Sequence, residues 1–298
     1  MIIILGPTAT GKTKLASQIA KRNSGEIISA DSRQVYKYLN IGTGKDLEEY
    51  QFGKIKIPYH LIDIIELETD YSVYTFQKDF IKSYKQIIKG KKIPILCGGT
   101  GLYIESVLLD YDLSNSPPPN YSLRQKLNKK NTPELIEYFN QLNKNIIKNP
   151  KMDTKNRIIR NIEICLNNSN KKINNKKQSI IPIKKYQVIG INPGRDKIRQ
   201  NITQRLDDRL QNGLIEEVEG LLNNGITHER LNYFGLEYRF ISRYIKGAYK
   251  KDDLFEKLNS AIHQFSKKQM TFFRRMEKRN IKIHWIEKPN INHIEKII

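Results

Sequence analysis

The chain has 298 residues, 38% of them hydrophobic and 28% charged, with 52 Lys+Arg against 31 Asp+Glu for a net charge of +21. That length admits a full core plus one smaller appended unit, and no window approaches the ~18 apolar residues of a membrane span. Two distant cysteines, Cys97 and Cys165, and five scattered histidines exclude a disulfide scaffold and a zinc-ligand pattern, leaving both thiols expected reduced and buried and His60 and His263 expected structural.

The first apolar run, Ile2–Leu5, reads as a strand that begins almost at Met1, which leaves no room for a leader and points to a cytoplasmic protein. It runs into Gly6-Pro7-Thr8-Ala9-Thr10-Gly11-Lys12-Thr13, a match to G-x-x-x-x-G-K-[ST], and then into an amphipathic helix at Lys12–Lys21. Strand, glycine turn and helix N-terminus in that order present backbone N–H groups to one anion. Lys12 adds a point charge and the Thr13 hydroxyl is the candidate magnesium ligand, so a di- or triphosphate is expected there.

A second strand, Glu26–Ser29, leads to Asp31-Ser32-Arg33-Gln34. In an open parallel sheet, residues just past the carboxyl ends of strands line the ligand crevice, which puts Asp31 beside the phosphate loop. A carboxylate there suits a general base or a water-mediated metal contact, and equally a helix N-cap. The run His60–Ile64 contains Asp63, the candidate for the acid that P-loop ATPases place after a strand, although it lies inside the run. A helix at Thr75–Lys89 and a strand at Ile93–Cys97 precede Gly98-Gly99-Thr100-Gly101, which opens a helix at Leu102–Leu109. Thr100 and the free N–H groups of that turn suit a second substrate, or only a tight strand-to-helix connection.

Ser114-Asn115-Ser116-Pro117-Pro118-Pro119 is a stiff polar connector, and short polar helical segments follow to about residue 152. A helix at Thr154–Leu166 has Ile158, Ile159 and Ile162 on its apolar face and Arg157 and Arg160 three apart on another. Paired arginines suit a diphosphate or an RNA backbone, and also an ordinary solvated face. Asn167–Gln178 is Asn/Lys-rich and reads as an exposed loop. Residues 114–180 are thus expected to form a helical insertion, or a long irregular excursion, within a core made of 1–113 and 181–298. The core continues with a strand at Gln187–Ile191, helices at Ile198–Leu210, Ile215–Leu222 and Phe255–Met276, and a strand at Ile283–Trp285. Alternating strands and helices predict an α/β fold, a parallel sheet with helices on both faces. The last helix sets the stripe Leu258, Ile262, Phe265, Gln269, Phe273 and Met276 against Lys267, Lys268, Arg274, Arg275 and Lys278, a core face with a basic, RNA-compatible back. The net charge favours a polyanionic partner, although tracts such as Asn174-Asn175-Lys176-Lys177 inflate it without one.

Taken in order, these segments resemble the tRNA dimethylallyltransferase (tRNA isopentenyltransferase) family. The resemblance rests on Gly6–Thr13; Ser29–Lys37 followed by Ile41-Gly42-Thr43-Gly44-Lys45; Pro58–Asp63; Tyr71-Ser72-Val73; Gly98–Tyr103; Arg157–Arg160; Gly213–Val218; and Lys268–Arg275. It implies a P-loop NTPase-like core and transfer of a dimethylallyl group from dimethylallyl diphosphate to the exocyclic N6 amine of adenosine 37, 3′ of the anticodon, in tRNAs reading codons that begin with U. Magnesium assists and diphosphate leaves. Carried over by position, Asp31 is the general base and Thr8 donates to the bridging oxygen. Gly6–Thr13 with Arg157 and Arg160 hold the diphosphate, and Thr13 the metal. Asp31, Ser32, Arg33, Gln34 and Thr100, with Arg124, Asn156, Arg157, Ile158, Ile159 and Arg160 of the insertion, contact the tRNA anticodon stem-loop, and a monomer is implied. An ATP-dependent small-molecule kinase and a non-catalytic RNA-binding P-loop protein share the first motif. The chain departs from the family pattern at Asn156 (often Gln), Asn201 (commonly Arg), Gly235-Leu236-Glu237-Tyr238-Arg239, Ala261–Phe265 and Phe272 (commonly Trp), mostly on the RNA side.

Overall fold

The computed structural model describes residues 1–113, 117, 119–168, 183 and 185–294. The chain divides into two compact units, Met1–Tyr111 with Ile181–Ile298, and Asp112–Ile180. In the first unit the order is β1 (Ile2–Leu5), α1 (Lys12–Arg22), β2 (Gly25–Ser29), β3 (Gln51–Phe52), β4 (Ile55–Lys56), β5 (Tyr59–His60), α2 (Val73–Lys89), β6 (Ile93–Gly98) and α3 (Gly101–Leu108). The second unit holds α4 (Tyr121–Asn128), α5 (Thr132–Asn143) and α6 (Lys155–Asn168). The first then resumes with β7 (Gln187–Ile191), α7 (Arg195–Gln211), α8 (Leu214–Asn223), α9 (His228–Tyr233), α10 (Leu236–Ile245), α11 (Lys251–Glu277), β8 (His284–Ile286) and α12 (Ile291–Ile294).

Six strands form one parallel sheet in the order β5-β2-β6-β1-β7-β8, and β3 and β4 make a separate antiparallel pair. The β1 residues Ile2 and Ile4 face one layer with Leu15, Ala16 and Ile19 of α1, while Ile3 and Leu5 face the other with Phe76 and Phe80 of α2 and Phe273 of α11. Period-two alternation of side chains makes the central strands continuously apolar, because both faces are covered. With β1 flanked by β6 and β7, the loops after β1, β2 and β6 emerge at the same sheet edge.

The expected strand at His60–Ile64 stops at His60, because Leu61 (φ 63°) and Asp63 (φ 54°) adopt left-handed backbone that no strand contains. Helix α2 begins two residues earlier than its apolar period suggests, with the Ser72 side chain accepting from the Thr75 N–H at 3.1 Å. Helices α9 and α10 were not evident from periodicity; α9 is short, and the two buttress the site. Cys97 and Cys165 are free and buried. Most of the Asn167–Gln178 stretch and part of the proline connector lie outside the described residues. The α4–α6 unit has its own core of Leu127, Leu135, Phe139, Ile158, Ile159, Ile162 and Cys165. Among the described residues, no helix is long and apolar enough to cross a membrane.

Candidate active site

The loop after β1 is shaped by contacts that only small residues allow. A Cβ on Gly6 would lie 2.7 Å from the Ile191 carbonyl oxygen, so glycine lets the loop cross β7 closely. Gly11 (φ 75°) caps α1 in left-handed conformation and turns the loop into the helix. The Thr10 hydroxyl donates to the Pro7 carbonyl at 2.9 Å, and Lys12 Nζ donates to the same oxygen at 2.5 Å. Burial pushes Lys12 down to about 8, an ammonium short of counter-charge until an anion arrives. Two distant side chains brace the loop from outside. Asn201 Nδ2 of α7 donates to the Ala9 carbonyl at 3.0 Å, and Gln269 Oε1 of α11 accepts from the Thr8 N–H at 2.9 Å.

Thr8–Thr13, Asp31–Gln34, Thr100, Arg205, Arg209, Tyr233 and Gln269 line one cavity of 660 Å³. Asp31 Oδ1 accepts from the Arg33 N–H at 2.8 Å and the Gln34 N–H at 3.4 Å, so the carboxylate closes a turn, and no helix begins there for it to cap. Those contacts orient it without consuming its second oxygen. The Thr100 Oγ1 accepts from the Ser32 N–H at 3.1 Å, tying the turn after β6 to the turn after β2. Cys97 lies at the cavity floor with its thiol pushed up to about 12 by burial, which leaves it no thiolate character at neutral pH.

The loop 36–46 closes one side. Fully buried Lys45 donates to the Tyr36 carbonyl at 2.8 Å and Asn40 Oδ1 at 3.1 Å and pairs with Asp63. Asp63 thus helps to hold this loop, and it is not among the residues that line the cavity. Glu217 of α8 accepts from the N–H groups of Asn40 (3.0 Å), Ile41 (2.7 Å) and Gly42 (3.2 Å) and from the Tyr238 hydroxyl (2.6 Å), a carboxylate seated in a backbone nest. Asp46 pairs with Arg205, and with Arg209 at 3.6 Å, across the cavity.

Comparison with known proteins places this geometry. Residues 34–276 match the family model described as IPP transferase, and residues 1–57 match that described as isopentenyl transferase. The chain belongs to the IPP transferase family. A tRNA dimethylallyltransferase 1 of Azobacteroides pseudotrichonymphae genomovar. CFP2 is 46% identical over 297 residues, covering 100% of this chain and 96% of its own length. Among solved structures, the tRNA delta(2)-isopentenylpyrophosphate transferase of Staphylococcus epidermidis is 32% identical with a TM-score of 0.65, covering 96% of this chain and 92% of that one. The tRNA isopentenylpyrophosphate transferase of Bacillus halodurans is 27% identical with a TM-score of 0.66, over 96% and 88%.

In this IPP transferase family member the residues expected to touch RNA from the insertion have local partners in the α4–α6 unit. Glu163, 2% exposed, holds Arg124 through Nε and Nη2, both at 2.8 Å, and Arg160 through Nη1 at 2.9 Å. Arg160 also donates to the Pro117 carbonyl at 2.7 Å, and Arg157 pairs with Asp153. Asn156 is exposed. Ile158 and Ile159 are 0% and 3% exposed in the core of that unit, so their side chains are packing residues and not RNA contacts, a correction that follows from the apolar face they define. Conversely, Gln269 and Tyr233, which line the cavity, and Glu217 and Lys45, which hold the loop 36–46 beside it, are not among the site residues expected from the sequence. A polar residue inside the apolar stripe of α11 is the visible sign of Gln269; Lys45 and Glu217 lie in the blocks Ile41–Lys45 and Gly213–Val218 that carry the family resemblance, and Tyr233 has no local signal.

Proposed function

We propose that this chain is a tRNA dimethylallyltransferase, moving a dimethylallyl group from dimethylallyl diphosphate to the N6 amine of adenosine 37 in the anticodon stem-loop. The observation that carries the reading is the convergence of Thr8–Thr13 and Asp31 on one cavity in a member of this family. The diphosphate sits on the α1 N-terminus, where N–H groups and Lys12 meet the charge that grows as the allylic C–O bond breaks. The Thr8 hydroxyl donates to the bridging oxygen. The N6 lone pair forms the new C–N bond, the N6 proton passes to Asp31 Oδ2, and diphosphate departs. Asp31 Oδ1, fixed by two N–H groups, keeps the carboxylate aimed.

Magnesium fits this donor set. Thr13 lines the cavity at the phosphate loop, and Mg²⁺ usually keeps several waters and takes few protein ligands beside substrate phosphates. Thr13 would hold it, and it would neutralise diphosphate charge. The resemblance supports assigning Arg157 and Arg160 to the diphosphate side and Arg124 and Asn156 to tRNA, and the +21 charge suits the RNA partner of a monomeric cytoplasmic enzyme. The test is incubation with labelled dimethylallyl diphosphate, magnesium and an unmodified anticodon stem-loop. Label in the loop adenosine is the expected result; phosphate transferred from ATP instead would establish a kinase.

A further inference from the structure

Tyr233, at the end of α9, is 37% exposed in the cavity wall, whereas its neighbour Phe234 is 1% exposed. Its ring is held from several directions. The Arg230 guanidinium stands 4.6 Å from the ring centroid and is itself immobilised by the Leu67 carbonyl (2.6 Å), Asp70 Oδ1 (2.8 Å) and the Thr69 carbonyl (2.7 Å). Phe234 meets the ring edge-on at 5.8 Å, and the Tyr36 hydroxyl donates to the Tyr233 hydroxyl at 3.5 Å. An aromatic ring built this firmly into a polar cavity has lost the rotamer freedom that binding would otherwise have to remove.

The second observation is Arg33. Its guanidinium rests over the same ring at 4.7 Å, and among the described residues its side chain has no carboxylate or carbonyl partner. A cation held only by a ring face is available to an anion. A fixed aromatic face beside a free guanidinium is the chemistry that grips an unpaired nucleotide, with the base on the ring and the phosphate on the cation.

We propose that Tyr233 is the stacking platform for an unpaired base of the RNA loop and that Arg33, released from the ring, takes that nucleotide's phosphate. This rests on the RNA-acceptor reading above and adds a residue to it.

The test uses the full chain and anticodon stem-loops carrying 2-aminopurine at each loop position in turn. Wild type is expected to quench one position on binding. Tyr233→Phe keeps the quench. Tyr233→Ala loses it and weakens RNA affinity by about tenfold, the scale of one lost stacking contact. Tyr233→Leu, which keeps apolar bulk over Arg230, is expected to behave like Tyr233→Ala while melting at the wild-type temperature, so a folding failure of the alanine variant does not blunt the result. Quench and affinity unchanged in Tyr233→Leu would overturn the proposal, as would a defect confined to turnover, which would put the ring against the prenyl donor instead. Wild-type transfer of label with normal RNA binding by Tyr233→Leu removes only this inference; no transfer by wild type removes the function on which it rests.

Discussion

The side-chain oxygen of Gln269 accepts the backbone N–H of Thr8 at 2.9 Å, and its nitrogen donates to the Gly99 carbonyl at 2.9 Å. One amide from α11 thus joins the phosphate loop to the turn after β6, although 261 residues separate it from Thr8. Replacing it with leucine keeps the volume but strands a donor and an acceptor, at a cost of about 1–3 kcal/mol for each group left buried without a partner. Gln269→Leu is expected to lower the urea midpoint and slow turnover together. A variant with normal stability and full turnover would show the bridge to be idle.

Asp31 has two duties, and one substitution separates them. Asparagine retains an oxygen for the Arg33 and Gln34 N–H groups but cannot take a proton. Asp31→Asn is expected to lose about 10²–10⁴-fold in turnover, the range for a positioned general base, with stem-loop affinity close to wild type. Turnover within a few-fold of wild type would remove Asp31 as the base.

The lowered Lys12 predicts a pH dependence of anion binding. The free protein holds this amine at about 8 and a bound diphosphate favours its charged form, so above that pH binding must take up a proton. With the ionisation of pyrophosphate itself allowed for, the amine's contribution to its affinity is expected to be level below about pH 8 and to fall by up to about tenfold per pH unit above it, until the pKa of the complex is reached. Calorimetry in buffers of different ionisation enthalpy reads the proton uptake directly. Equal affinities and no uptake on the alkaline side would place Lys12 away from the anion.

A backbone crossing transmits strain to the base. A Cβ on Gly98 would lie 2.3 Å from the Ala30 carbonyl oxygen and 2.8 Å from the Ala30 Cα, and Ala30 leads directly into Asp31. Gly98→Ala is expected to cost about 1–3 kcal/mol as overpacking and to reduce turnover by displacing the carboxylate. Gly220→Ala in α8 meets nothing within 4 Å and should stabilise by about 0.5–1 kcal/mol through helix propensity. Denaturant titration of the two variants checks the contrast, and opposite signs are required.

Much of the core was legible before the structure. Ile2–Leu5, the glycine turn and the period of α1 are consecutive-residue properties, as are the parallel β1, β2, β6 and β7 and the helices between them. The strand expected through Ile64 failed because apolar Leu61 and Ile62 disguise a turn whose left-handed backbone is stabilised by distant contacts, among them the Asp63–Lys45 pair. Arg124 and Arg160 are expected from the resemblance on tRNA and diphosphate, and nothing in a linear pattern shows that buried Glu163 is their shared partner.

By itself, then, the order of residues determined the alternation of elements and which loops share an edge of the sheet, since strand period, turn chemistry and helix caps act over a few neighbouring residues. Only the folded chain decided that Gln269 braces Thr8, that Glu217 fills the nest at residues 40–42, and that the Tyr233 ring meets both Arg33 and Arg230. Those partnerships depend on the rotational phase and crossing of helices separated by most of the sequence, and a polar side chain takes whichever unsatisfied group that packing brings within about 3 Å.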